Sequence, residues 1–187
     1  MPQSKILIDS NVYFRLAQSI HPLLQVEFGE EKYCLYVIKE LQEEYAKNQR
    51  LKNKFSWVNE TEYKKNRDCG LIISKKSQSE ISRVHEFIKN HAKYTYPGIS
   101  KVDITALSHA YVLDISIVTD DFDMLALAVD FNIRTLKTLE LLKLMLDCRR
   151  IDMIIVRQIA AYWHYSDDKP KLFATDYKKL FKELPPK

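Results

Sequence analysis

Ile6-Leu7-Ile8-Asp9-Ser10-Asn11-Val12 is the stretch on which the reading of this 187-residue chain turns. The apolar run over residues 5–9 is too short for a helix, so it predicts a buried strand. A helical pattern from Asn11 to Ser19 follows at once. Asp9 therefore stands at the carboxyl end of a strand, which in open α/β sheets faces the crevice where ligands bind.

Working outward, the same alternation returns. Tyr33 to Val37 is β-prone, and Ile38 to Asn48 predicts an amphipathic helix with Ile38, Leu41 and Tyr45 on one side. Residues 49–75 mix basic, aromatic and polar types without a period, and Gly70-Leu71-Ile72-Ile73 reads equally as strand or helix. Ser79 to Ala92 is helical, with Ile81, Val84, Phe87 and Ile88 assigned to its apolar side. Tyr96-Pro97-Gly98 marks a turn. Helix over Lys101 to Leu113, strand over Ile115 to Thr119, helix over Asp123 to Phe131, strand over Ile133 to Leu136 and helix over Leu139 to Leu146 complete the pattern. Ile151 to Trp163 and Phe173 to Phe181 predict two further helices, broken apart by Asp167-Asp168-Lys169-Pro170. Strands alternating with helices predict a mainly parallel sheet covered on both faces. The expected organisation is an α/β domain over 1–150, carrying a basic insertion at 49–95, and a helical extension over 151–187 packed on it.

Composition narrows the function classes. Apolar residues make up 46% of the chain, enough for a buried core. Only three glycines occur, so neither a GxGxxG fingerprint nor a P-loop is present. Cys34, Cys69 and Cys148 have no CxxC spacing and read as free thiols in a reducing compartment. The five histidines show no zinc-site spacing. The start of the chain lacks a signal-peptide layout, and no apolar run approaches the roughly 18 residues of a spanning helix. A cytoplasmic protein without a membrane partner is expected. Residues 47–101 hold 13 Lys/Arg against 5 Asp/Glu, between two blocks that are each net acidic. That layout suits a polyanion held beside an acidic centre, and equally a solvated charged face.

Asp9, Glu40, Asp103 and Asp121 are distant in sequence yet each falls where a strand meets a helix or a helix opens. Each has a local reading too. Ser100-x-x-Asp103 matches a capping box. Asp120, Asp121 and Asp123 precede or open a helix, where negative charge is favourable. Glu40 sits among other surface acids. Asp9 is the acid least explained by such roles. Gathered in one cleft, two carboxylates 4 Å apart repel by roughly 4 kcal/mol at an effective dielectric of 20. A hard divalent ion such as Mg²⁺ or Mn²⁺ offsets that repulsion and supports phosphodiester hydrolysis.

In these segments the chain resembles the PIN-domain nucleases, the group that includes the VapC-type toxins. Ile6 to Val12 is similar to the family's opening strand with its Asp-x-Asn. Val37-Ile38-Lys39-Glu40-Leu41 resembles its second acidic motif, Val102 to Ala110 the helix bearing the third acid, and Val118-Thr119-Asp120-Asp121-Phe122-Asp123 its Thr-x-Asp-x-Asp strand end. The resemblance spans roughly residues 5–145 and implies a PIN-like three-layer α/β/α sandwich and a metal-dependent endoribonuclease. It implies Asp9, Glu40, Asp103 and Asp121 as catalytic and metal-holding acids, with Asp123 as a further metal acid. Asn11, Thr119 and Asp120 would support them, the fourth ligand being Asp120 or Asp121, with the Thr-x-Asp pattern favouring Asp121. Its implied partners are an RNA substrate, an antitoxin protein and a second copy of the chain.

Two other readings stay open: a non-catalytic PIN-like module that binds RNA or protein, and a nuclease for structured DNA. Lys52, Lys54, Lys64, Lys65, Arg67, Lys75 and Lys76 are the candidate nucleic-acid contacts. Phe55, Trp57, Tyr63, Tyr94 and Tyr96, interleaved with cations, either stack unpaired bases or anchor the insertion. His109 and Cys34 read as packed residues. Phe173, Tyr177, Leu180, Phe181 and Leu184 form an apolar stripe expected to dock on the chain's own core.

Overall fold

Four parallel strands lie in the order β2-β1-β3-β4: β1 Ser4–Ile8, β2 Tyr33–Tyr36, β3 Ser116–Val118 and β4 Thr135–Leu136. This is a computed structural model, and it describes residues 2–68 and 70–186. Cys69 lies outside the described residues. β1 runs beside β2 with Ile6 opposite Leu35, and beside β3 with Ile8 opposite Val118. The chain therefore goes from β1 to one neighbour and returns to the other. That reversal opens a crevice at the carboxyl ends of β1 and β3.

Strand side chains alternate between faces, and the alternation divides the core into two layers. Ile6, Ile8, Leu35 and Val118 face one layer, while Leu7 and Ile117 face the other. The first layer holds α1 (Ser10–Leu16), α8 (Thr138–Asp147), α9 (Met153–Tyr165) and α10 (Phe173–Phe181). α2 (Glu40–Lys47) adds Leu41 and Tyr45 to it, and Ile38 just before α2 joins the opposite layer. That opposite layer is made by α5 (Lys75–Thr95), α6 (Lys101–Leu113) and α7 (Phe122–Asp130). The result is the expected three-layer α/β/α arrangement. Among the described residues no helix is long and apolar enough to cross a membrane.

The unreadable middle consists of α3 (Gln49–Lys54), a 3-10 turn over Ser56–Asn59 and α4 (Thr61–Asp68). Phe55, Trp57, Val58 and Tyr63 are buried in the first layer against Tyr13 and Phe14. Anchoring, and not base stacking, is what those three aromatics do. Residues 70–74 are neither strand nor helix, so both readings of Gly70 to Ile73 are corrected. Phe87 is also corrected: at 68% exposed it lies off the buried stripe Ile81, Ile88 and Ala92. Six residues advance a helix well past a whole turn, whereas seven and eleven return to the same face. In the C-terminal helix Phe173 and Tyr177 are buried and Leu180 and Phe181 pack on the core, as expected, while Leu184 is exposed.

Candidate functional site: an acidic crevice at the ends of β1 and β3

Asp9 follows β1 directly and is buried. One carboxylate oxygen accepts from the backbone N–H of Val12 at 2.7 Å, making Asp9 the N-cap of α1. The other accepts from the hydroxyl of Thr119 at 2.5 Å. Asp9, singled out as the acid least explained by capping, is thus a cap as well. Burial pushes its carboxyl up to about 7, and the charges of Asp120 and Asp103 add to the rise. The bonds from Thr119 and Val12 oppose it without overcoming it.

Asp103 is held by the expected capping box. Its Oδ2 accepts from the Ser100 N–H at 3.0 Å, and its own N–H donates to the Ser100 hydroxyl at 3.1 Å. Burial is the main cause raising its carboxyl above the ordinary value; Ser100 pulls it down and Asp121 pushes it up. Asp121 is exposed and caps α7, its Oδ1 accepting from Met124 N–H at 2.9 Å. Its own N–H donates to Thr119 Oγ1 at 3.1 Å, so one buried threonine orients two acids.

Asp120 behaves differently. Its Oδ1 accepts from Thr138 N–H at 3.0 Å, and its Oδ2 takes the Thr138 hydroxyl and the Arg15 guanidinium, the latter at 2.9 Å. Arg15 reaches Asp168 at 3.5 Å, and Asp168 pairs with Lys54 at 3.1 Å. Both Asp120 oxygens are spent on structure. By contrast, Asp103 Oδ1 and Asp121 Oδ2 make no protein hydrogen bond among the described residues.

Asp9 and Asp103 line a crevice of about 10 Å³, walled by Ile38, Leu41 and Val102. That is room for about one water-sized sphere. The fold therefore brings together Asp9, Asp103, Asp120 and Asp121, whose charges act on one another. Glu40 opens α2 and lines two neighbouring clefts, one with Ile73 and His109 and one with Ser100 and Thr105. Glu44, not singled out in the sequence, shares the second of these, and its Oε2 is buried with no hydrogen-bond partner among the described residues. The signal for it was the i, i+4 spacing from Glu40. Asp123 is exposed, with its carboxylate beside the Gly98 turn. Asn11 is exposed on the first turn of α1.

Carboxylates are the donors a hard divalent ion takes, and Mg²⁺ is ordinarily held by one or two of them plus water and phosphate. Among the described residues no three His, Cys, Asp or Glu side chains are grouped to hold one ion. Asp103 and Asp121, each with one carboxylate oxygen not engaged by the protein, are the side chains that could contribute such donors.

Of the candidate nucleic-acid contacts, Arg67 spends its guanidinium on Tyr13 Oη, Val58 O and Gln42 Oε1. Lys54 is paired with Asp168. Lys64, Lys65, Lys75 and Lys76 are exposed and Lys52 is half-buried. His109 is buried, its Nδ1 2.8 Å from Thr105 O.

No family model matches the chain, and no curated protein matches it. Among solved structures, FitAcB from Neisseria gonorrhoeae is similar at 15% sequence identity and a TM-score of 0.47, over 71% of this chain and 97% of that chain.

Proposed function

We propose that this chain is a Mg²⁺- or Mn²⁺-dependent endoribonuclease whose working acids are Asp9, Asp103 and Asp121. The supporting observation is their position at the reversal point of the sheet, where burial first, and then the charges of Asp120 and Asp103, push Asp9 up to about 7. Such an arrangement costs the protein alone and is relieved by positive charge. When bound, a divalent cation would supply Lewis-acid stabilisation of phosphate oxygens and a more acidic water. Asp103 and Asp121 would hold it through their uncommitted oxygens. Asp9, pinned by Thr119 and by the first turn of α1, would set the negative field of the crevice and orient water within it. Thr119 would fix the spacing between Asp9 and Asp121. Glu40, or Glu44 one turn on, would serve from the adjoining cleft.

The test is cleavage of single-stranded RNA with Mg²⁺ or Mn²⁺ by the intact chain and by Asp103→Asn and Asp121→Asn. Loss of cleavage in both, with unchanged melting temperatures in chelator, supports the reading. Unimpaired cleavage by either refutes that residue's role.

One observation favours a second reading, the non-catalytic module. Asp9 and Asp121 are helix N-caps and Asp103 completes the capping box of α6, roles that alone account for their presence. A ligand that binds the native state must raise its melting temperature. Absence of any rise with Mg²⁺ or Mn²⁺ would select this alternative. A toxin role with an antitoxin protein as partner, and pairing of two copies, rest on the sequence resemblance and belong to the same proposal.

A further inference from the structure

We propose that Arg15 is a positioning residue for the acid crevice: it fixes the link between β3 and α7 through Asp120, and so sets where Asp121 stands for a divalent cation. The proposal rests on the nuclease reading and adds to it a residue that touches neither metal nor RNA. Asp121 binds the protein through Oδ1, while its Oδ2 makes no protein hydrogen bond among the described residues. Its placement therefore depends on the main chain that carries it. Thr119 holds the Asp121 N–H, and Asp120 is bound by Thr138 and by Arg15. The backbone at Asp121 is extended, with φ −75° and ψ 126°, so neighbouring side chains leave it on different sides. Drawing Asp120 toward Arg15 and Thr138 turns Asp121 away from them.

Arg15 is itself held in place. It lies in the last turn of α1, the helix that Asp9 caps. One short helix thus grips both acids, Asp9 directly at its start and Asp121 through Asp120 at its end. The Arg15 carbonyl accepts from the Trp163 indole N–H at 3.3 Å, and its guanidinium lies 3.5 Å from Asp168. α9 and the loop after it therefore back the residue. The Arg15 and Asp120 side chains are 15% and 11% exposed, so this pair is less screened and less mobile than an ion pair on the surface. Such rigidity matters, because a shift of about 1 Å at a reacting centre can cost about 100-fold in rate.

The experiment is a double-mutant cycle on the intact chain. Mn²⁺ binding is followed through the electron paramagnetic resonance of the free ion, for the parent, Arg15→Met, Asp121→Asn and the double variant. Arg15→Met is expected to weaken Mn²⁺ binding about 10- to 100-fold. In the Asp121→Asn background the same change is expected to cost nothing further, because Arg15 acts through Asp121. Asp120→Asn cuts the ion pair from its other end and keeps an acceptor for the Thr138 N–H; it is expected to behave alike in both backgrounds. All binding is measured below the melting temperature of each variant. Val156→Ala, a buried truncation in α9 two turns before Trp163, is the control for lost stability and is expected to bind Mn²⁺ as the parent does. Unaltered binding by Arg15→Met, equal losses in the two backgrounds, or an equal loss in Val156→Ala overturns the proposal. Any of these results beside RNA cleavage by the parent defeats this proposal alone. The expected cycle without RNA cleavage defeats the nuclease reading alone, and a parent that binds no Mn²⁺ defeats both.

Discussion

The hydroxyl of Thr119 donates to the carboxylate of Asp9 across 110 residues of sequence, joining the carboxyl ends of β3 and β1 at the floor of the crevice. Both side chains are buried, so the bond is largely shielded from bulk solvent. Thr119→Val keeps the shape and removes the donor. The expected cost at pH 8 is about 1–3 kcal/mol, the usual penalty for a buried acceptor left unmatched. Urea unfolding of parent and variant measures it; equal midpoints would show that the bond contributes nothing.

Asp9 gives a pH dependence of definite sign. Its folded value of about 7 lies above the ordinary 3.8, so between those two pH values the native state binds more protons than the unfolded one. Stability therefore falls as pH rises through that window. Three units correspond to about 4 kcal/mol, as an upper figure for metal-free protein. Asp9→Asn retains the cap and loses the cost. It is expected to exceed the parent in stability at pH 8 in chelator and to converge on it near pH 4. Parallel stability profiles from pH 4 to 8 would dispose of the argument.

Asp120 and Asp121 are neighbours in sequence but separable in role. Asp121→Asn is expected to abolish cleavage with little change in melting temperature, since asparagine also caps α7. Arg15→Met takes the guanidinium from Asp120, whose side chain is 11% exposed, and leaves Asp168 paired with Lys54. Its expected cost is about 3 kcal/mol, because an acid left buried without its cation is the expensive outcome. Thermal unfolding and an RNA cleavage assay on both variants decide it. A stable Arg15→Met protein would mean that the Thr138 bonds alone suffice for Asp120.

The insertion offers a contrast between anchor and surface. Trp57→Ala removes a buried ring packed on Tyr13 and Tyr63, and should destabilise by about 3–5 kcal/mol. Lys64→Ala, on the exposed side of the same segment, should stay within about 0.5 kcal/mol. Comparable losses in the two variants would contradict the assignment of Trp57 to the core.

Gly29 has a positive φ of 70°, and a Cβ built there would meet Cys148 Sγ at 2.7 Å. Gly29→Ala combines a disfavoured backbone with a collision, and a loss of about 1–3 kcal/mol in chemical unfolding is expected. Cys148→Ser does not relieve the backbone part, so the double variant should recover only in part.

What could be read from the chain follows from the range of the forces involved. Lys101–Leu113 and Phe173–Phe181 have the bounds expected, because caps and periodic apolar positions are local signals. The segment 49–75 carried none: its anchors follow neither helical nor strand spacing, since Phe55 lies in a link, Trp57 and Val58 in a 3-10 turn and Tyr63 in α4. Arg15 has no local sequence signal for its role, since its partners lie 105 and 153 residues away. The ambiguity between Asp120 and Asp121 had the same origin, as only Arg15 and Thr138 distinguish them. Asp9 was legible as an acid at a strand end facing the crevice, but its second role as a cap was hidden because one residue performs both.

The pairing of β1 with β3 carries a consequence for how the protein is made. Residues 4–8 emerge from the ribosome early and find β2 29 residues later, yet their other neighbour arrives only with residues 116–118. Such distant pairing is slow to form and leaves a β1 edge open to mispairing meanwhile. A chain terminated before residue 116 would hold Asp9 and Asp103 without Thr119 or Asp121. Premature products of translation should therefore be inert toward RNA and prone to aggregate, and ribosome-stalled chains of graded length would reveal where both properties change.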